Sequence, residues 1–220
     1  VFNMINRKKY LFYKVSVVIP CYRCAETIER ALDSVINQSF LPYEIILVDD
    51  HSQDEMKTSN KLKEMKLKYK KRIKIKILVN RFNCGPGFSR NKAWNSSSGN
   101  FVAFLDADDT WHFKKLEIQL SHLKINSQID AICSFDKYNL DYKNKLTEGE
   151  NNIQIQPIKY TSMLFKNIVS TRSVLIKKEV ESRFNPNSWY SEDYWLWLDL
   201  LYKGNKISNL PLYLSGFYKK

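Results

Sequence analysis

Apolar residues along this chain recur in two rhythms, short β-branched runs that read as strands and longer stretches with helical spacing. Val15-Ser-Val-Val-Ile-Pro20 predicts a first strand closed by proline, and Glu44-Ile-Ile-Leu-Val-Asp-Asp50 predicts a second that ends in an acid pair. Between them Ile28, Ala31, Leu32, Val35 and Ile36 mark one face of a helix over Ala25 to Gln38, with Glu26 well placed in its first turn. Asp54 to Lys71 predicts a lysine-rich helix with a thin apolar stripe of Met56, Leu62 and Met65. Ile73, Ile75, Ile77 and Val79 recur at every second position, with Lys74 and Lys76 between the first three, as in a strand near a sheet edge.

Asn83-Cys-Gly-Pro-Gly-Phe-Ser-Arg-Asn91 is a glycine-bearing loop that runs into a short helix ending near Ser96, with Pro86 close to its start. Phe101 to Leu105 is a continuous apolar run, which suits a strand covered on both faces. A helix follows from about Phe113 to Asn126, with Leu116, Leu120 and Leu123 on one side. Strands alternating with helices in this way imply βαβ units and a mainly parallel sheet. After Asp130 the pattern changes: a strand over Ala131 to Leu140, a polar loop over Asp141 to Asn152, a short helix over Thr161 to Asn167 and a strand over Ser173 to Ile176. A last helix spans about Glu192 to Tyr202, counts Trp195, Trp197 and Leu198 among its apolar residues, and stops at Gly204. With 220 residues and no internal repeat, one continuous domain over residues 15–220 is expected, preceded by an N-terminal extension over residues 1–14.

The formal net charge of +12 changes the picture, because ten basic residues between Lys57 and Lys76 are offset only by Glu64. Such a run is either a solvated helix face or a patch for an anionic membrane surface. Without an interleaved aromatic platform or a nucleic-acid motif, nucleic acid ranks below both. No run of about 18 apolar residues occurs, so no membrane-spanning helix is expected. Val1 to Lys14 is too short and too broken by polar residues for a signal peptide, so the expected location is the cytoplasm, with peripheral contact at the inner face of the membrane. Cys21-x-x-Cys24 would be half of a zinc site, but neither Cys84 nor Cys133 completes it, and four reduced thiols are expected.

The candidate chemistry sits at the end of the Phe101 to Leu105 strand. Asp106, Asp108 and Asp109 follow it directly, at the edge where open α/β sheets bind ligands. Three crowded carboxylates call for a cation, and Mg²⁺ or Mn²⁺ shared with substrate phosphates suits oxygen donors. Alternatively, Asp109 and Thr110 cap the helix that begins near Phe113. The acids alone leave both readings open.

Five stretches taken in order carry a resemblance. Val15-Ser-Val-Val-Ile-Pro-Cys-Tyr22, Ile46-Leu-Val-Asp-Asp-His-Ser52, Gly85-Pro-Gly-Phe-Ser-Arg-Asn91, Phe104-Leu-Asp-Ala-Asp-Asp109 and Ser191-Glu-Asp-Tyr-Trp-Leu-Trp197 together resemble the family 2 glycosyltransferases, over roughly Val15 to Tyr213. The resemblance implies the GT-A fold, a Rossmann-like α/β fold with a mainly parallel central sheet. Residues 15–112 would then form the nucleotide-sugar half and 113–220 the acceptor half. It implies inverting transfer of a sugar from a nucleotide diphosphate donor, commonly a UDP-sugar, to a hydroxyl of a glycan or lipid-linked acceptor in surface polysaccharide synthesis. A Mn²⁺ or Mg²⁺ would stabilise the charge growing on the leaving diphosphate.

By the same resemblance Asp108 is the metal ligand, and Asp106 contacts the donor ribose or the metal's waters. Pro20, Tyr22 and Asp50 form the nucleotide pocket, Tyr22 stacking on the base and Asp50 accepting from base or ribose. Arg90 lies near the nucleotide, paired with phosphate or bracing the acids. Asp193 is the base that removes the acceptor proton, and Glu192 is the alternative. Without the resemblance, both acids would simply favour a helix N-terminus. Trp195 and Trp197 are read as core before ligand, although a tryptophan near the acid pair could stack on a sugar face, and His51 and His112 are left out of catalysis. The chain departs from the pattern at Arg23, where asparagine is frequent, and at Ser89, where alanine is. Tyr218-Lys219-Lys220 stands in the approximate place of a Tyr-Arg-x-His stretch, so the closing loop is expected to be shortened or replaced.

Two other readings compete. A receiver-like signalling domain would bind Mg²⁺ at Asp49 and Asp50 and accept a phosphoryl group at Asp106, but such domains are shorter and give Glu192 and Asp193 no role. A degenerate nucleotide-sugar-binding protein would keep the donor pocket without transfer.

Overall fold

In the computed structural model, residues 13–141, 153–188 and 190–218 are described. The chain opens with β1 (Val15–Cys21), β2 (Glu44–Asp49), β3 (Lys74–Val79) and β4 (Phe101–Phe104), all parallel, in the order β3-β2-β1-β4. Their connections carry α1 (Ile28–Ile36), α2 (Lys57–Tyr69) and α3 (Gly85–Asn95). β3 is at the edge, as its alternation with lysines predicts.

The side-chain period of two sorts this sheet into two apolar layers. Val17, Ile19, Ile45 and Leu47 face a cluster with Leu32 of α1 and Leu62 and Met65 of α2. Val18, Ile46 and Val48 face the opposite cluster, with Trp94 of α3. The lysines of the basic run point outward from α2; Lys61 and Lys68 clamp Glu29 of α1, and Lys76 pairs with buried Glu44. Among the described residues no helix is long and apolar enough to cross a membrane. All four cysteines are free thiols, and three are buried.

The second half adds β5 (Thr110–Trp111), α4 (Lys115–Ile125), β6 (Ala131–Tyr138), β7 (Gln156–Pro157), α5 (Tyr160–Phe165), β8 (Leu175–Lys177), α6 (Glu192–Tyr202) and β9 (Ile207–Phe217). They extend the same sheet as β4-β8-β6-β9-β5, with β7 against β9. The long ladders are parallel, and β5, β7 and β8 pair through short antiparallel ones.

No element was expected after Gly204, yet β9 follows there with Pro211 inside it, a residue that a strand interior disfavours. The strand tolerates it through an irregular register: Ser134 pairs with Leu210 and Phe135 with Tyr213, so proline falls where the ladder is interrupted. The helix-cap reading of Asp109 and Thr110 is overturned as well. α4 begins at Lys115 with no side-chain cap bond, Asp109 pairs with Arg172, and Thr110 lies in β5. Of the polar loop expected over Asp141 to Asn152, residues 142–152 lie outside the described residues.

Lys115 is fully buried, with its ammonium donating to Gln119 Oε1 at 2.7 Å and lying 4.4 Å from the centre of the Trp111 ring. Burial pushes its pKa from 10.5 down to about 7. Between those values the unfolded chain binds a proton that the folded one does not, so stability rises with pH across that window. The buried Cys133 thiol, pushed up from 9.0 to about 12, opposes this only above pH 9. The melting temperature is therefore expected to climb from pH 7 to pH 9, and Lys115→Met to flatten that climb. Melting curves of the two proteins across this range check it; parallel slopes would overturn it.

Candidate active site

β1, β2 and β4 deliver their acids and turns to one edge of the sheet. A cleft of about 1130 Å³ opens there, lined among others by Pro20, Tyr22, Asp50, Asp106, Asp108 and Arg172. A second cleft of about 690 Å³ lies beside it, lined among others by Arg90, Asp106, Ile168, Arg172, Glu192 and Asp193. Asp106 and Arg172 line both, so the clefts meet at that pair. The structure thus brings every candidate side chain from Pro20 to Asp193 to one place.

Tyr22 is 44% exposed, with its ring free to present a face. The Arg23 guanidinium lies 5.2 Å from the ring centre. Arg23 holds a left-handed φ of 48°, fixed by its N–H donating to Ser52 Oγ at 3.0 Å. Ser191, immediately before the acid pair of α6, is also left-handed at φ 56°. Non-glycine residues pay for such backbone with strain, which clusters where side chains must be aimed.

Asp50 lines the larger cleft yet is only 4% exposed. Its Oδ1 accepts from Asn80 Nδ2 at 2.6 Å and from the Cys84 N–H at 2.9 Å, and its Oδ2 accepts from the Gly85 N–H at 2.8 Å. It therefore anchors the start of α3, satisfying N–H groups that a helix leaves unpaired. Roughly four lone-pair sites on a carboxylate leave room for one further donor from a ligand. Ser89, the departure from alanine, accepts from the same Asn80 side chain at 2.9 Å.

Arg90 is the centre of the arrangement. Its Nη1 donates to Glu192 Oε1 at 2.7 Å and its Nη2 to Asp106 Oδ1 at 2.6 Å, with the guanidinium almost wholly buried. The planar fork suits this bridge between two carboxylates. The contact requires close packing of α3 on α6: a methyl on Gly87 would meet Glu192 Cγ at 3.0 Å and the Asn185 carbonyl oxygen at 3.1 Å. Arg90 thus braces Asp106 and Glu192.

Arg172 performs a similar task on the other acid, and nothing in the sequence singled it out; a lone arginine before a short strand carries no motif. Its Nε donates to Asp109 Oδ2 at 2.5 Å and its Nη1 to Asp136 Oδ2 at 3.0 Å. Burial pushes Asp109 up to about 7, with Asp106 and Asp108 adding to the rise and Arg172 opposing it. Arg30, likewise missed, donates to the Asp108 backbone carbonyl at 2.6 Å and stacks 3.9 Å from the centre of the Tyr218 ring. The Tyr218 and Thr110 hydroxyls are 3.1 Å apart, so the end of the described chain is tied to the acid loop.

The two acids of α6 divide in their surroundings. Glu192 is 8% exposed and committed to Arg90, whereas Asp193 is half-buried at the smaller cleft. Asp193 Oδ2 accepts from Thr171 Oγ1 at 2.9 Å and Oδ1 from the Tyr194 N–H at 2.7 Å, bonds that orient its carboxylate. Trp197 is fully buried as core, but Trp195 is 62% exposed, contrary to its reading as core. His112 is buried, with Nδ1 accepting from the Lys114 N–H at 3.3 Å.

No group of three His, Cys, Asp or Glu among the described residues could hold a metal ion by itself. Mg²⁺ and Mn²⁺ sites shared with phosphates need only one or two carboxylates beside water. Asp108, with Asp106 next to it on the same cleft wall, fits that donor set.

The sequence profile of glycosyl transferase family 2 matches residues 16–179. The chain is 32% identical over 196 residues to the Escherichia coli UDP-Glc:alpha-D-GlcNAc-diphosphoundecaprenol beta-1,3-glucosyltransferase WfgD, covering 89% of this chain and 72% of that one. It is 34% identical over 191 residues to the putative teichuronic acid biosynthesis glycosyltransferase TuaG of Bacillus subtilis, covering 86% and 73%. Among solved structures, TarS 1-349 of S. aureus in complex with UDP superposes with a TM-score of 0.73 at 21% identity, over 94% of this chain and 61% of that one. The same protein in complex with UDP-GlcNAc gives 0.74 at 22%, over 94% and 59%. The chain thus spans about three fifths of those structures, and the likeness is one of fold.

Proposed function

The chain belongs to glycosyl transferase family 2, and from that premise we propose that it moves a sugar, with inversion, from a UDP-sugar to a hydroxyl of a surface glycan or lipid-linked acceptor. One observation carries this reading: two clefts, one at the strand ends and one in front of Asp193, meet at Asp106 and Arg172. A donor in the larger cleft would present its anomeric carbon at that junction, facing an acceptor in the smaller one. The receiver-like alternative falls with the family membership.

In this reading Tyr22 supplies a stacking face for the base, and Asp50 has one acceptor site left for it or the ribose. The Asp193 carboxylate takes the proton from the acceptor hydroxyl, whose oxygen bonds to the anomeric carbon as the bond to the diphosphate breaks. The leaving diphosphate keeps the electron pair. Arg90 fixes the Asp106 side chain, and Thr171 orients Asp193. Asp108 and Asp106 would hold Mn²⁺ or Mg²⁺, which when bound supplies positive charge to the departing diphosphate. We assign the protein to the cytoplasmic side of the membrane, with peripheral contact favoured by its net charge of +12.

Calorimetric titration with UDP, with and without Mn²⁺, tests the donor site. Metal-dependent binding is expected, and Asp108→Asn is expected to remove the gain that Mn²⁺ brings while leaving the melting temperature near that of the parent. Unchanged metal dependence in that variant would displace Asp108 from the role. Failure of every nucleoside diphosphate to bind would overturn the donor cleft, and binding without turnover on any acceptor would favour the degenerate protein instead.

A further inference from the structure

α5 and α6 pack together, with the Tyr194 hydroxyl donating to the Met163 carbonyl and the Tyr160 and Tyr202 rings 6.1 Å apart. Met163 is buried beneath them, yet the pair leaves large apolar side chains in water. Phe165 is 90% exposed, Leu164 and Ile168 about half, and on α6 Trp195 and Tyr202, two turns apart, are 62% and 78% exposed. A soluble surface scatters such residues singly; gathered on one helix pair they mark an interaction surface.

The charge around them narrows the partner. From Ile153 to Lys178 the sequence has no acid. Arg172 and Lys177 within it are paired with acids elsewhere, but Lys159 and Lys166 are not the partners of any ion pair among the described residues. On α6, Glu192 is paired with Arg90 and Asp199 with Lys203. Lys159 and Lys166 flank α5 directly and are exposed. Tryptophan and tyrosine amid lysines and aliphatic residues are the composition of a membrane interface, where rings enter the headgroup layer and ammonium groups meet anionic lipid. A second copy would bring the same positive charge to the same face, from a chain with a net charge of +12.

We propose that the α5–α6 surface docks on an anionic lipid bilayer. Ile168 and Lys166 belong both to this surface and to the lining of the smaller cleft, so docking would set the cleft mouth against the headgroups, where the head of a lipid-linked acceptor lies. The inference deepens the peripheral contact proposed above and moves it from the basic run on α2, which packs on the opposite layer of the sheet.

Sedimentation with phosphatidylcholine vesicles, with and without phosphatidylglycerol, tests this in the absence of donor and acceptor, so it succeeds or fails apart from the transfer reading. The parent is expected to sediment with the anionic vesicles. Leu164→Ser/Phe165→Ser is expected to lower its partition coefficient by about tenfold, the scale of removing two partly inserted apolar side chains. Lys63→Ser/Lys66→Ser on α2 should have a clearly smaller effect. Circular dichroism and melting check that both variants fold. Equal partition of parent and α5 variant, a larger loss from the α2 variant, or parental self-association that the α5 variant abolishes would each overturn the proposal.

Discussion

Asp193→Asn is expected to slow sugar transfer by about 10²–10⁴-fold, the usual contribution of a positioned general base. The substitution keeps size and shape. Its amide oxygen can still accept from the Thr171 hydroxyl, and the half-buried position tolerates a neutral group, so fold and donor binding should persist. What disappears is the capacity to take a proton at the mouth of the smaller cleft. Single-turnover assays with a UDP-sugar, alongside UDP titration, separate the two effects. Glu192→Gln provides the contrast, since Glu192 is committed to Arg90 and should matter through position rather than proton transfer. If Asp193→Asn transferred at the parental rate and Glu192→Gln did not, the roles would be exchanged.

The other large effect concerns Arg90. Arg90→Met would leave Asp106 and Glu192 facing each other without the guanidinium that separates them. Removing one partner of a buried ion pair costs about 3–5 kcal/mol, and with Asp106 still 27% exposed the lower end applies. For a chain of this length about 3 kcal/mol corresponds to a fall of about 6–12 °C in melting temperature. Arg90→Lys should recover only part of it, because one ammonium cannot reproduce two forked bonds. Thermal melts of the three proteins decide this; an unchanged midpoint for Arg90→Met would mean that water replaces the guanidinium without loss. Transfer should fall in both variants, as Asp106 loses its fixed orientation.

Much of residues 15–112 was legible because the signals there are local. β1, β2 and β4 are β-branched or apolar runs bounded by proline or acids, and a short continuous apolar run suffices to place them and the carboxylates that follow. Asp50, Asp106 and Asp108 therefore fell where the sequence put them. Residues 113–220 were read less well. No element was assigned to the stretch that forms β9, which carries Pro211 where its register is interrupted, whereas the short helix expected over Thr161 to Asn167 is present as α5. Trp195 and Trp197 look alike in the sequence, but helical geometry sends one into the core and the other into solvent.

Strand positions, the acid-ended edges, the α6 acid pair and the family resemblance were all determined by the sequence itself, since each depends on residues within a few positions of one another. Which carboxylate meets which guanidinium was decided only by the tertiary structure. Arg90 and Glu192 are 102 residues apart, and Arg172 and Asp109 are 63 apart. No periodicity encodes such pairs; the first arises when α3 and α6 close on the same side of the sheet, and the second when the turn before β8 meets the acid loop after β4. Closure also commits Glu192 to its arginine and leaves Asp193 at the cleft, because pairing a buried charge outweighs leaving it unpaired in a dry interior.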